Sequence, residues 1–461
     1  MRRIRGRRRV THVVLAAAVL VLTAVLIGVA AFIAGGSPSR GNAPAVPAAP
    51  APVRADPAVV PVADTAPEPT RQGLAAALLA ALDNPDLGRF GVRVADALTG
   101  DELLDRNAGE PLLPASTNKV LTAAAALLTL PTDARFTTTV TSGDRPGVVV
   151  LVGGGDPTLS AAPGDDDTWY RDAARISDLA AQVKATGVPA RDVVVDTGAY
   201  TGPTMAPGWD PADIEGGDIA PMEAVMLDGG RTQPVSVDSA RSTTPALDAG
   251  RALAVALGAD PATVRLGAAP PDARRLAAVQ SPPLVDRLRD MMNQSDNVMA
   301  ESIGREVAAA SGKPVSFAGA TAAVGEHLRQ AGVDLTGAVL VDSSGLSWND
   351  RLAARTLDEV VGAAAGPGQP RLRLLLDALP IAGGSGTLSN RYHDTDLGRD
   401  AAGWLRAKTG SLSAVNALAG VVTDRSGRVL TFAIISNDAG PTGRTALDTL
   451  AATLRTCGCG Q

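Results

Sequence analysis

From Pro111 to Leu130 the chain reads PLLPASTNKVLTAAAALLTL. The spacing predicts a helix over Val120–Leu130, closed by Pro131. Beyond Lys119 it carries no charge, and a helix that apolar belongs inside a core. Ser116 and Lys119, three residues apart, share the face that opens it. A serine hydroxyl is a weak nucleophile at neutral pH and needs a base beside it. A buried amine near other cations would lose its proton readily enough to serve. Taken alone, the pattern is better read as a helix cap with a lysine in the first turn.

The cations sharpen the choice. Of 42 lysines and arginines, only Lys119, Lys184, Lys313 and Lys408 are lysines. Arginine cannot act as a base at ordinary pH, so each retained lysine marks a position where a titratable amine has a use. The only histidines are His12, His327 and His393, and none sits in a nucleophile-elbow pattern. Two further stretches supply complementary chemistry. Gln294–Val298 reads QSDNV, where Ser295 offers a hydroxyl for proton relay and Asn297 an amide for the substrate backbone and the lysine. Lys408–Ser411 reads KTGS at a strand start. There a cation and the hydroxyls of Thr409 and Ser411 suit a substrate carboxylate, and Gly410 admits close approach of a substrate to the strand.

The N-terminus sets where this chemistry takes place. Six arginines within residues 1–12 precede the uncharged run 13–34. As a helix its 22 residues span about 33 Å, enough to cross a bilayer core of about 30 Å. The arginines hold the N-terminus in the cytoplasm, and no convincing A-x-A cleavage site follows. A membrane anchor is therefore expected, with the rest of the chain extracytoplasmic, or secreted if the segment is cleaved. Residues 35–70 form a Pro/Ala-rich linker. The net charge is −6, and removing the six arginines (−6 − 6) leaves −12 for the remainder. Such an acidic module argues against nucleic acid as a partner. Cys457 and Cys459 lie in the tail 457–461 and are too close to staple a fold.

The intervening chain reads as α+β. Strands are expected over Gly91–Ala97 and from Glu102, and three antiparallel strands over 403–437 with a hairpin turn at 424–427. Helices are expected over 73–82, within 284–310, over 319–332 and over 442–454. VLVDSSGLSWNDRLAARTLDEVVGAA reads as strand, turn, helix. Sheet strands thus come from both chain ends, against a helical cluster. Between them, residues 140–280 read as a strand-rich insertion. It has a helix over Trp169–Thr186, another over Asp248–Leu257, a short strand over Val235–Asp238, and little pattern from 200 to 235. His393, Asp394 and Asp396 are too few for a metal site, the GGGDP and GGSG runs read as turns, and no cofactor is called for.

S-x-x-K, S-x-N and K-T-G in this order resemble the motif set of penicillin-binding proteins and class A β-lactamases. PASTNKVLTAAAAL, LVGGGDPTL, QSDNVMAE, VDSSGLSWND, LPIAGGSGTLSNR and AKTGSLSAVNALAG resemble, more closely, the low-molecular-weight class C group. These are serine D-alanyl-D-alanine carboxypeptidases that also act as endopeptidases. The resemblance spans about residues 71–456, with 71–139 and 281–456 as the catalytic domain. The 175 residues between Lys119 and Ser295 match the group's inserted domains. It implies that Ser116 attacks the carbonyl between two D-alanines and Lys119 takes its proton. The N–H groups of Ser116 and Ser411 hold the oxyanion, and Ser295 passes a proton to the leaving amine with Lys408 tuning that path. Thr409 and Ser411 engage the terminal carboxylate, and Asn297 orients substrate and Lys119. The implied partners are peptidoglycan stem peptides, with β-lactams as covalent inhibitors. Two other readings use the same residues: a β-lactamase with faster deacylation, and a wall-binding scaffold without activity.

Overall fold

A computed structural model describes residues 65–164 and 166–457. The basic N-terminus, the apolar run 13–34 and most of the linker lie outside the described residues. Among the described residues no helix is long and apolar enough to cross a membrane.

The chain opens with α1 (Arg71–Leu82), β1 (Arg89–Asp96), β2 (Glu102–Arg106) and α2 (Lys119–Thr129). The insertion follows, with β3 (Thr137–Ser142), β4 (Gly147–Val152), α3 (Ile176–Ala185), β5 (Ala190–Asp196), α4 (Ala212–Gly216), α5 (Pro245–Leu257), β6 (Arg265–Leu266) and β7 (Arg275–Gln280). Then come α6 (Leu284–Gln294), α7 (Asn297–Ala310), α8 (Phe317–Gln330), α9 (Ala354–Ala365), α10 (Arg373–Ala378) and α11 (Asp396–Ala401). The chain closes with β8 (Leu405–Leu412), β9 (Val415–Thr423), β10 (Val429–Asn437) and α12 (Gly443–Thr456).

The main sheet has the order β2-β1-β10-β9-β8. The antiparallel register from Arg89↔Asn437 to Asp96↔Leu430 joins the two chain ends. Side chains alternate across β10: Leu430, Phe432 and Ile434 face α1 and α12, while Ala433 and Ile435 face the helical cluster that contains α2. Both faces are covered, so β10 is buried almost throughout. On the helical side the sheet offers Ala417, Ala419 and Ala433, all small, which lets buried helices approach closely. The core rests on alanine, leucine and valine because aromatic residues make up only 3% of the chain. The hairpin at 424–427 is closed by the Asp424 carboxylate, which accepts from the N–H groups of Ser426 and Arg428 at 2.8 Å.

The insertion carries its own mixed sheet, β6-β5-β4-β3-β7, with β4, β5 and β6 parallel. α3 and α5 cover one face with Leu179, Val183, Leu253 and Ala249. Several expectations need correction. The break expected between residues 139 and 140 falls inside β3. Trp169–Arg175 is not helical, because Asp172 adopts φ +53 and Tyr170 is drawn aside to bond Asp296. Val235 and Val237 stand 63% and 77% exposed in turns rather than in a strand. Val339 makes only an isolated bridge with Arg351, because the Asp342 carboxylate turns the chain at once. Cys457, expected to begin the tail, is disulfide-bonded and buried among the side chains between the sheet and α12.

At the rim of the main sheet Arg428 and Asp96 form a buried ion pair, with a guanidinium N–H donating to Asp96 at 2.8 Å. Removing one partner leaves a buried charge without its counter-ion, a cost of about 3–5 kcal/mol. Arg428→Ala is therefore expected to lower the unfolding free energy by about 3 kcal/mol. Denaturant titration checks this.

Candidate active site

The nucleophile sits on a tight turn. Ala115–Asn118 is a 3-10 turn that runs straight into α2 at Lys119. Ser116 thus precedes the α-helix proper. Ala115 is fully buried at φ +46, a conformation that costs a non-glycine residue about 1–2 kcal/mol. The Thr117 hydroxyl donates to the Pro114 carbonyl at 2.6 Å and helps hold the turn.

Lys119 is completely buried, and its amine makes three hydrogen bonds. Nζ donates to Ser116 Oγ at 2.8 Å, to Asn297 Oδ1 at 2.6 Å and to the Ser344 carbonyl at 2.8 Å. Burial lowers its pKa from 10.5 to about 8, against the opposing pull of Asp342, Asp296, Glu301 and Asp218. The sequence argument looked to burial beside other cations. Burial is the lowering cause, and the carboxylates around the amine work the other way.

The second lysine lies at the centre of β8. Lys408 Nζ donates to Ser295 Oγ and to the Thr409 carbonyl, both at 2.9 Å. Burial, and then the charge of Lys119, hold it well below its ordinary value. Ser295 ends α6 in the left-handed region at φ +57. Asp296 then caps α7, its Oδ1 accepting from Met299 N at 3.0 Å. Asn297 opens α7 and donates from Nδ2 to the Asp218 carbonyl at 2.9 Å. The QSDNV stretch is thus a helix–helix junction that projects a hydroxyl and an amide in one direction.

β8 is the edge strand beside the serine turn, and its register with β9 is unbroken from Leu405↔Val422 to Leu412↔Val415. Ala407 N donates to the Pro380 carbonyl, away from β9, at 3.0 Å. Antiparallel alternation turns the N–H groups of Thr409 and Ser411 to that same open edge. Thr409 Oγ1 lies 2.8 Å from Thr387 Oγ1, while Thr409 and Ser411 line a cleft of about 630 Å³ together with Ser116, Ser295 and Asn297. The role read for Gly410 needs revising. A Cβ there would lie 2.7 Å from the Pro114 carbonyl oxygen and 3.1 Å from Thr117 N. Its small size admits the serine turn, not the substrate.

Beneath the cleft, Asp342 organises a turn. Its carboxylate accepts from the N–H groups of Ser344 (3.0 Å), Gly345 (2.6 Å) and Ser347 (2.8 Å). Gly345 sits at φ +80, and a Cβ there would lie 1.9 Å from the Ala115 carbonyl oxygen. Asp342 is 1% exposed and does not line the cleft. Other contributors escaped the sequence reading. Thr387 lies inside a stretch noted only as a whole. Asp210, Asp213 and Asp218, which form one wall of the cleft, come from the region that showed little pattern. Among the described residues, no group of three or more His, Cys, Asp or Glu is arranged to hold a metal ion.

Comparison with known proteins fits this arrangement. Residues 74–241 and 233–454 match the D-Ala-D-Ala carboxypeptidase 3 (S13) family, and residues 1–61 match the Carboxypeptidase Rv3627c-like, N-terminal domain. Carboxypeptidase DacB of Mycolicibacterium smegmatis is 66% identical over 458 residues, covering 98% of each chain. Carboxypeptidase Rv3627c of Mycobacterium tuberculosis is 60% identical over 455 residues, again covering 98% of each. Among solved structures, penicillin binding protein 4 (dacB) of Haemophilus influenzae superposes with a TM-score of 0.67 at 25% identity, covering 83% of this chain and 98% of that one. A serine and two buried lysines at the edge of a five-stranded sheet, in a chain matched along most of its length, make it a member of the D-Ala-D-Ala carboxypeptidase 3 (S13) family of serine carboxypeptidases.

Proposed function

We propose that the chain removes the terminal D-alanine of peptidoglycan stem peptides through an acyl-enzyme on Ser116. The observation that carries this reading is the 2.8 Å contact between Lys119 Nζ and Ser116 Oγ, with the amine held near pKa 8 by burial. A neutral Lys119 accepts the hydroxyl proton as Ser116 Oγ attacks the carbonyl between the two D-alanines. The oxyanion that forms is held by the N–H groups of Ser116 and Ser411. The second of these lies on the open edge of β8. Preorganised donors of this kind contribute about 3–4 kcal/mol each.

The C–N bond then breaks, and the departing amine takes a proton from Ser295, which is resupplied with the proton that Lys119 took from Ser116, while Lys408 tunes this path from 2.9 Å. Thr409 and Ser411 hold the terminal carboxylate, and Asn297 orients both substrate and Lys119. Once D-alanine has left, water gives a proton to the neutral Lys119 and attacks the ester carbonyl; the ester C–O bond breaks and that proton returns to Ser116 Oγ, 2.8 Å away. A β-lactam acylates Ser116 by the same path but keeps its leaving group tethered over the ester. Cleavage of cross-links by the same acyl-enzyme, a D,D-endopeptidase reaction, differs only in the leaving amine. The uncharged run 13–34 would anchor the enzyme on the outer face of the membrane, with residues 35–70 as its tether.

Four outcomes test the reading. Ser116→Ala is expected to abolish covalent labelling by a fluorescent penicillin, and intact mass reveals any residual adduct. Lys119→Arg keeps the charge but cannot take a proton, so acylation should fall about 10³-fold. In the wild type the lysine must be neutral to act, so the acylation rate should climb as pH rises through about 8. A flat profile from pH 6 to 9 would sink the assignment of Lys119 as the base. Finally, Gly410→Ala pushes the serine turn off β8 and should slow acylation about 100-fold while the protein stays folded. Stopped-flow labelling alongside circular dichroism measures both.

A further inference from the structure

The insertion reaches the catalytic centre at three points. Tyr170 Oη donates to Asp296 Oδ2 at 2.7 Å, the Asp218 carbonyl accepts from Asn297, and Trp209 Nε1 donates to Asp342 Oδ2 at 2.7 Å. The third contact bears on the general base through a short series of bonds. Asp342 folds the turn 342–347, and the Ser344 carbonyl in that turn accepts from Lys119. The turn is also sewn to α2 and its entry: Asn118 Nδ2 donates to the Asp342 carbonyl at 3.1 Å, and the Thr122 hydroxyl to the Ser343 carbonyl at 2.6 Å.

We infer that Trp209 is a positioning residue for Lys119: its indole N–H fixes the Asp342 carboxylate, which fixes the turn whose Ser344 carbonyl holds the amine. The inference rests on Lys119 acting as the base. Trp209 is 8% exposed and meets Phe317 edge-on, with ring centroids 5.1 Å apart, so its ring has a packing role of its own. The N–H is separable from that role. A buried indole N–H must find an acceptor. Here the acceptor is a fully committed carboxylate beside the nucleophile rather than a nearby carbonyl. The insertion adds two bonds to the same turn, from Ser347 Oγ to the Pro207 carbonyl at 2.7 Å and from Trp348 N to the Gly208 carbonyl at 3.4 Å. The insertion therefore seats the turn from the side opposite α2.

Charges face this centre from every wall. Asp350 and Glu301 face Asp342, and burial pushes both up, Glu301 to about 7 and Asp350 well above the usual carboxylate range. Lys119 faces Asp342, then Asp296 and Glu301 from α7 and its cap, Asp218 from the insertion, and Lys408 from β8. Asp342 is the largest of the charges that favour the protonated lysine. Loosening it therefore moves the titration of Lys119 to lower pH as well as slowing the reaction.

The test uses the full-length protein, with acylation by a fluorescent penicillin followed from pH 5 to 9. Trp209→Phe, Asp342→Asn and the double variant are compared, with thermal unfolding as a check on folding. Trp209→Phe is expected to slow acylation about tenfold at pH 7 and to shift the acidic limb to lower pH. On the Asp342→Asn background it should add no further loss, because both act through one carboxylate. Trp209→His keeps a ring N–H and should recover most of the rate and the wild-type limb. Wild-type behaviour of Trp209→Phe, an unshifted limb, losses that multiply in the double variant, or no recovery with histidine would each overturn the inference. Labelling of the wild type and its loss in Ser116→Ala report separately on the serine mechanism, so the two failures are distinguishable.

Discussion

The site depends on one buried amine. Lys119 is drawn into the protein with no solvent contact, and each of its three bonds ends on a different part of the chain: its own turn, the α6–α7 junction, and the turn after residue 341. Burial lowers its proton affinity, and the three acceptors keep it from being expelled as an unsatisfied charge. The arrangement explains why the surrounding structure is built from small residues. Gly410 and Gly345 each clear space for the serine turn that a single methyl would fill. The alanines on the helical side of the sheet let α2 lie low enough to bring Lys119 within reach of β8.

Much of this was legible in the sequence, because it depends on local spacing. Ser116, Lys119, Ser295, Asn297, Lys408, Thr409 and Ser411 stand in three short stretches whose residue types announce their chemistry, and all seven meet around one cleft. The strands at both chain ends were legible from alternation, as were α2, α5 and α12. What was hidden depends on long-range contact. The turn at VDSSGLSWND and a structural use of Asp342 were legible, but not that its carboxylate accepts from three backbone N–H groups. The reading of Gly410 failed for a related reason: the surface a glycine exposes depends on what packs against it. Trp169–Arg175 was expected to be helical, but Asp172 sits at φ +53 and Tyr170 is bonded to Asp296 instead.

The insertion was expected to be a module apart. Its mixed sheet and two helices do form a core of their own. The irregular part between β5 and α5 behaves differently, since Trp209, Met222 and Met226 share a second apolar cluster with Val298 and Leu346, beside the candidate site. Acidic side chains from the same region face Ser116 across the cleft. A segment with little local pattern thus contributes most where it is least regular, because turns present side chains at angles that helices and strands cannot.

The pairing of β1 with β10 has a bearing on the birth of the enzyme. Residues Arg89–Asp96 find their partners only at Leu430–Asn437, and the strand that carries Lys408 lies two places further across the same sheet. During synthesis Ser116 and Lys119 emerge long before the edge strand Leu405–Leu412 that completes their surroundings. Until these strands pair, the serine turn has no sheet edge to pack against, and the pocket that keeps water from Lys119 is not assembled.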